Sequence, residues 1–150
     1  MNYLELNKYD TANGPGIRVS LFIAGCTLKC KGCFNKKSWD FNAGKPFTKD
    51  TLAKVYEYLS KPYITGLSIL GGDPLEPQNQ TGVLSLVNGV HTVFPDKTIW
   101  LWTGRTYRTI KSNPILNYID TLVDGPYIEH LKEDLPFRGS SNQNIIFLRK

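Results

Sequence analysis

The residues best suited to chemistry lie in one stretch, Cys26-Thr27-Leu28-Lys29-Cys30-Lys31-Gly32-Cys33-Phe34-Asn35, which holds all three cysteines of the 150-residue chain. Their spacing, C-x3-C-x2-C, lets one loop wrap a single metal centre. Thiolates are soft ligands, and iron–sulfur clusters and zinc are their usual partners. An ordinary 4Fe–4S site uses four cysteines. A cubane held by Cys26, Cys30 and Cys33 therefore leaves one iron without a cysteine ligand, and an open metal position suggests chemistry. Three blander readings compete. The i, i+4, i+7 spacing also fits the buried stripe of a helix, but Gly25 and Gly32 are poor helix residues and Lys29 and Lys31 flank the middle cysteine. A disulfide framework sits badly with an odd count and tight spacing. A non-catalytic zinc module needs His91 or His130 as a long-range fourth ligand, and neither stands in a short pair with a cysteine.

A second candidate is Gly71-Gly72-Asp73-Pro74, directly after the apolar run Gly66 to Leu70. Two glycines let backbone come close to a ligand and expose its amides and carbonyls; on its own the segment also reads as a plain β-turn. Strand-like runs end at Gly25, Gly71, Gly104 and Gly125, each followed by a helix or loop. This is the βα pattern of a parallel sheet with its ligand site at the C-terminal ends of the strands. Thr103 and Asp124, at two of those ends, are candidate ligand contacts as much as turn and cap residues.

The elements that position these residues follow from pattern. Residues 3–6 read as a short edge strand, Val19 to Ala24 as a strand entering the cysteine loop, and 35–47 as irregular. Thr48 caps a helix running to Leu59 or Ser60, with Leu52, Val55, Tyr56 and Leu59 on one face. Val83 to Phe94 forms a second helix, weakened by Gly82 and Gly89, and 106–118 a third, interrupted at Asn113-Pro114. Thr98 to Trp102, Thr121 to Val123 and Asn144 to Leu148 read as strands, with Tyr127 to His130 a polar connector and Arg138 to Gln143 a polar loop. Arg18 is either a reach toward a ligand carboxylate or a surface charge. A chain of this length fits one domain, 1–150, and is too short for a complete (β/α)8 barrel of about 250 residues. The expectation is α/β, a partial (β/α) barrel of five or six mainly parallel strands.

The cysteine spacing is similar to the cluster motif of the radical S-adenosylmethionine (SAM) superfamily. More narrowly, Asn13-Gly14-Pro15-Gly16, Gly25 to Asn35, Gly71 to Leu75, Trp102-Thr103-Gly104, Val123-Asp124-Gly125 and Arg138 to Gln143 resemble, in order and over nearly the full length, the family that activates anaerobic ribonucleoside-triphosphate reductase. The resemblance implies a radical SAM fold and a 4Fe–4S cluster on Cys26, Cys30 and Cys33, with SAM bound at the fourth iron. It implies reductive cleavage of SAM to a 5′-deoxyadenosyl radical, and a glycyl radical made on the reductase as protein substrate. It also implies a one-electron donor such as flavodoxin. SAM contacts are expected from Gly32, Cys33, Phe34, Gly71, Gly72, Asp73, Thr103 and Asp124, and a side chain at Gly72 is expected to exclude SAM while sparing the cluster. Gly32 stands where the superfamily usually has an aromatic residue, with Phe34 following Cys33 instead. The rivals are another radical SAM enzyme and the zinc module.

The net charge is +5 and the pI about 9.1, without a long basic block or a nucleic-acid motif, so no direct nucleic-acid partner is expected. Lys29, Lys31, Lys36 and Lys37 cluster by the cysteines, where they can offset a negative cluster or meet an acidic protein. No apolar run approaches the roughly 20 residues of a membrane span. The N-terminus lacks a signal-peptide core, so a cytoplasmic location is expected, where thiols serve as ligands more often than as disulfides.

Overall fold

The computed structural model describes residues 1–33 and 36–149. Nine strands and three α-helices follow one another as β1 (Asn2–Asp10), β2 (Arg18–Ile23), β3 (Lys45–Pro46), α1 (Lys49–Leu59), β4 (Gly66–Gly71), α2 (Gln80–Val93), β5 (Thr98–Trp102), α3 (Tyr107–Ile110), β6 (Thr121–Asp124), β7 (Lys132–Leu135), β8 (Arg138–Ser140) and β9 (Asn144–Phe147). Seven strands form one sheet in the order β3-β1-β2-β4-β5-β6-β9, and β7 pairs with β8 in a separate hairpin.

The middle of the sheet, β2-β4-β5-β6, is parallel. Each successive strand is added on the same side, and α1, α2 and α3 with its following 3-10 turn lie in the three crossovers. The expected parallel βα pattern is therefore present, but the sheet has seven strands rather than five or six. Its flanks, β1, β3 and β9, are antiparallel. β1 must reverse direction because the connection to β2, residues 11–17, is shorter than the dozen or so residues of a parallel crossover. The sheet ends in two edge strands and does not close on itself.

Side-chain alternation divides the sheet into two faces. Val19, Leu21 and Ile23 of β2, Leu67 and Ile69 of β4, Ile99 and Leu101 of β5 and Leu122 of β6 belong to one apolar core with Val55 and Leu59 of α1 and Val83, Leu86, Val87 and Val90 of α2. The other face is polar at its base. Ser20, Ser68, Trp100 and Thr121 stand in register across four strands. Arg18 occupies this face fully buried, donating to Ser68 Oγ (2.8 Å), Thr98 Oγ1 (3.0 Å), and the carbonyls of Leu67 (3.0 Å), Thr98 (2.8 Å) and Pro15 (3.3 Å). Burial lowers its pKa to about 10, so it remains charged at neutral pH. Arg18 is thus neither a ligand contact nor a surface charge. It braces three strands, and Gly66 opposite it in register leaves room for the guanidinium.

Local capping agrees with the pattern for α1. Thr48 and Thr51 exchange hydrogen bonds in a capping box, and Ser60 ends the helix. α2 begins three residues earlier than expected, straight out of a 3-10 turn at Pro77–Asn79. β1 extends well past residue 6 along its antiparallel pairing with β2. Part of the expected polar loop, Arg138–Ser140, is instead strand β8, paired with β7 in a hairpin with Phe137 at φ 62° in its tight turn, while the Tyr127 to His130 connector precedes that hairpin. Trp102 Nε1 donates to Phe137 O at 2.8 Å, and the Phe137 ring stands edge-on to Trp100 at 5.4 Å, which pins the hairpin to the sheet.

Candidate functional site

The C-terminal ends of the parallel strands converge on a cavity of about 430 Å³, within the roughly 300–1,000 Å³ of small-ligand sites. Cys26, Cys30 and Cys33 line it together with Gly71, Gly72, Asp73, Thr103, Gly104 and Gly125. Ala12 and Asn13 of the loop after β1, Trp102 of β5, and Leu135, Phe137, Arg138 and Gly139 of the hairpin complete the wall. All three cysteines are free and half-buried.

The cysteine loop is anchored at its root. Gly25 N–H donates to Ser38 O at 2.6 Å and Cys26 N–H to Trp39 O at 3.2 Å, while Gly25 O accepts Asp73 N–H at 2.8 Å. Gly71 turns the chain out of β4 with φ at 114°, a conformation that requires glycine. Gly72 has a different reason. A Cβ there would stand 2.5 Å from Gly25 O and 2.7 Å from Ser38 O. The backbone therefore comes close to the cysteine loop's own root at this residue, and the glycine is needed for that meeting.

Asp73 is fully buried, and its carboxylate is occupied by protein donors. Oδ1 accepts Leu75 N–H and Thr103 Oγ1–H, each at 2.9 Å; Oδ2 accepts Gly104 N–H at 2.9 Å and pairs with Arg105 Nη1 at 2.9 Å. A carboxylate offers about four acceptor positions, so this one ties the β4 turn to the end of β5. Burial pushes the Asp73 carboxyl up, against the pull of the Leu75 and Gly104 amides and of Arg105. Arg105, itself disfavoured by burial, is held charged above its usual range by Asp73 and Glu76.

Thr103 lines the cavity with its hydroxyl committed to Asp73. Asp124 lies behind the wall, where Oδ2 accepts Tyr107 N–H at 2.7 Å at the start of α3 and Oδ1 is buried without a hydrogen-bond partner. Gly32 is exposed at the outer side of the loop, against the Glu129 side chain. Phe34 lies outside the described residues. Sequence reasoning passed over Glu76, Arg105 and the hairpin. The acid three residues after Asp73 and the base directly after Gly104 were the available signals.

The donor set fits an iron–sulfur cluster. The cavity presents three thiols and no histidine: His91 packs on Tyr118 beside Arg149, and His130 lines a neighbouring surface pocket with Lys31, Tyr127 and Glu129. Among the described residues no three Cys, His, Asp or Glu side chains are close enough to hold a single ion. In a cubane each thiolate binds its own iron, so the ligands stand further apart than around one zinc. Burial pushes the Cys26 thiol up, with Asp73 and Glu76 adding to it against backbone bonds from Leu28 and Lys29. A metal bound at Cys26 would therefore displace a proton. Among the described residues no helix is long and apolar enough to cross a membrane.

Comparison with known proteins agrees with this geometry. A family model described as a 4Fe-4S single cluster domain matches residues 12–146. Proteins named anaerobic ribonucleoside-triphosphate reductase-activating protein match over nearly their whole length. That of Enterobacteria phage T4 is 45% identical, covering 97% of this chain and 93% of its own. That of Salmonella typhi is 44% identical over 99% and 100%, and that of Escherichia coli K12 42% identical over 99% and 100%. With a cluster-domain model spanning most of its length and relatives this similar end to end, the chain belongs to the family of anaerobic ribonucleoside-triphosphate reductase-activating proteins.

Proposed function

We propose that this chain is a radical SAM activase that makes the glycyl radical of an anaerobic ribonucleoside-triphosphate reductase. Cys26, Cys30 and Cys33 hold a 4Fe–4S cluster with one iron open, and SAM occupies the rest of the cavity. The observation that carries the reading is that the three thiols and the Gly71–Gly72 turn line one cavity at the ends of parallel strands. The same-side winding of β2, β4, β5 and β6 supports a partial barrel of the radical SAM type in a single domain.

A reduced cluster held by Cys26, Cys30 and Cys33 would supply one electron for cleavage of the SAM sulfonium, and the resulting 5′-deoxyadenosyl radical would take hydrogen from a glycine of the reductase. The protein's part is to bind, orient and shield. Gly71 and Gly72, which line the cavity, would offer backbone carbonyls to the amino group of the methionine moiety. Trp102, Leu135 and Phe137 provide apolar wall, which limits water at the reacting centre. The open side of the sheet admits a glycine carried on a loop of a large partner. The electron comes from a one-electron donor such as flavodoxin, and the work is done in the cytoplasm.

The test is anaerobic reconstitution, with iron and sulfide content and reductant-driven SAM cleavage measured on one sample, followed by electron paramagnetic resonance of the reductase. About four irons and four sulfides per chain, SAM cleavage and a glycyl radical are expected. A colourless, zinc-loaded protein, or a full cluster with SAM left intact, would refute the proposal.

A further inference from the structure

Glu76 is 2% exposed. A buried carboxylate is costly unless it is paired and hydrogen-bonded, so its partners show what it holds. Oε2 accepts Thr27 N–H at 2.8 Å and Thr27 Oγ1–H at 2.9 Å and pairs with Arg105 Nη2 at 3.2 Å. Arg105 is in turn paired with Asp73 at 2.9 Å. The turn after β4, the end of β5 and the first residue of the loop beyond Cys26 therefore meet at one charged knot. Thr27 itself is exposed, so a buried group reaches out to grip the backbone of a surface loop. Further along, Cys33 N–H bonds to Cys30 O at 3.1 Å, a contact inside the loop that does not fix the loop to the body of the protein. A carboxylate has enough acceptor positions for an amide, a hydroxyl and a guanidinium together.

We propose that Glu76, charge-balanced by Arg105, is a positioning residue that holds the cysteine loop in its ligand-binding shape through Thr27 before any metal arrives. The inference rests on the reading of Cys26, Cys30 and Cys33 as cluster ligands. It makes the apoprotein site preorganised: the direction in which the chain leaves Cys26 is set by the protein, and the cluster does not have to order it.

The experiment compares wild type with Glu76→Ala, Glu76→Gln and Thr27→Val. Alkylation of each cysteine is followed across pH in the anaerobic apoprotein by mass spectrometry, and the limiting rates at high pH, where every thiol is ionised, are compared so that the effect of the Glu76 charge on the Cys26 thiol drops out; iron release to a chelator is followed in the reconstituted protein. In Glu76→Ala, Cys26 alkylation and iron release are expected to rise about tenfold, the factor set by losing a hydrogen bond to a charged group. Glu76→Gln keeps an oxygen for the Thr27 amide and is expected to recover most of that loss. Thr27→Val removes only the hydroxyl and is expected to give a smaller rise. Amide exchange in β4 and β5 is expected to stay unchanged. A merely structural role would speed exchange through both strands and would overturn the proposal. So would wild-type alkylation in Glu76→Ala, or Glu76→Gln as impaired as Glu76→Ala. If Glu76→Ala does not fold, Thr27→Val at its exposed site decides: wild-type alkylation and iron release there overturn the clamp. If wild type takes up no iron, the ligand reading fails, yet the alkylation rates still decide the clamp.

Discussion

Gly72→Ala separates two accounts of the glycine turn. Gly72 does not adopt a left-handed φ, so alanine is compatible with its backbone and the whole effect is steric. The new methyl would stand 2.5 Å from Gly25 O and 2.7 Å from Ser38 O, well inside the 3.4 Å at which ordinary contact begins. Neither oxygen can swing away as a side chain would. Gly25 O accepts Asp73 N–H at 2.8 Å, and Ser38 O accepts Gly25 N–H at 2.6 Å, so relief of the clash strains both bonds. Overpacking typically costs about 1–3 kcal/mol, and two pinned carbonyls put this case at the upper end, about 2–3 kcal/mol. For a chain of this size 1 kcal/mol moves Tm by roughly 2–4 °C, so thermal unfolding of the apoprotein should show a fall of about 4–12 °C. Iron bound per chain after reconstitution should fall with it, because Gly25 is the root of the cysteine loop. Gly82→Ala in α2 is the control. Its methyl would meet only the flexible Met1 side chain at 3.0 Å, and the helix gains up to about 1 kcal/mol, so Tm should rise. If Gly72→Ala keeps wild-type Tm and iron content and loses only SAM affinity, the steric reasoning is wrong and the glycine makes room for the ligand.

Each of Cys26→Ala, Cys30→Ala and Cys33→Ala should abolish SAM cleavage, since the chain has no fourth cysteine to substitute; a full cluster with near-normal cleavage in any one of them would exclude the three-ligand set. Lys36 and Lys37 are exposed beside the loop, and their joint replacement by Glu should slow glycyl radical formation on the reductase, mainly at low salt. SAM cleavage without the partner should change much less, and equal losses in both assays would assign these lysines to the cluster. Burial pushes the Asp10 carboxyl up, but hydrogen bonds from Ser20, Asn13 and the Ala12 and Asn13 amides outweigh it and hold the group below its ordinary 3.8. Its contribution to stability is therefore complete above about pH 4 and lost as pH falls through the lower folded value. Asp10→Asn should lower stability at neutral pH and flatten the acid limb of urea unfolding, and an unchanged acid limb would contradict this.

Much of the site was legible because it is local. Cysteine spacing and the runs ending at Gly25, Gly71, Gly104 and Gly125 are statements about neighbouring residues, and the cavity forms where those ends meet. Thr48 marked α1 for the same reason. The β7–β8 hairpin was not legible: Lys132-Glu133-Asp134 has no period-two alternation and is exposed throughout, so only its anchor on Trp100 and Trp102 reveals it. Asp73 was read as a ligand contact because its donors come from residues 75 and 103–105, and no short-range pattern announces that they will saturate it. Of the antiparallel flanks, β1 and β9 were legible as strands, but the reach of β1 past residue 6 was not, because it is polar over Asn7 and Lys8 and gains its order from pairing with β2, and β3 is only two residues within a stretch that reads as irregular.

Arg18 has a consequence for how fast the molecule comes apart. Its acceptors lie on β4 and at the head of β5, up to 80 residues away in the chain. They are in place only when β2, β4 and β5 are all in register, so substitution of Arg18 is expected to speed unfolding more than it slows folding. On the return path all of them are present at the start, and any opening between these strands leaves a charged group buried without partners. The guanidinium therefore acts as a kinetic latch. It is expected to lengthen the lifetime of the native sheet beneath the cavity more than it speeds the assembly of that sheet.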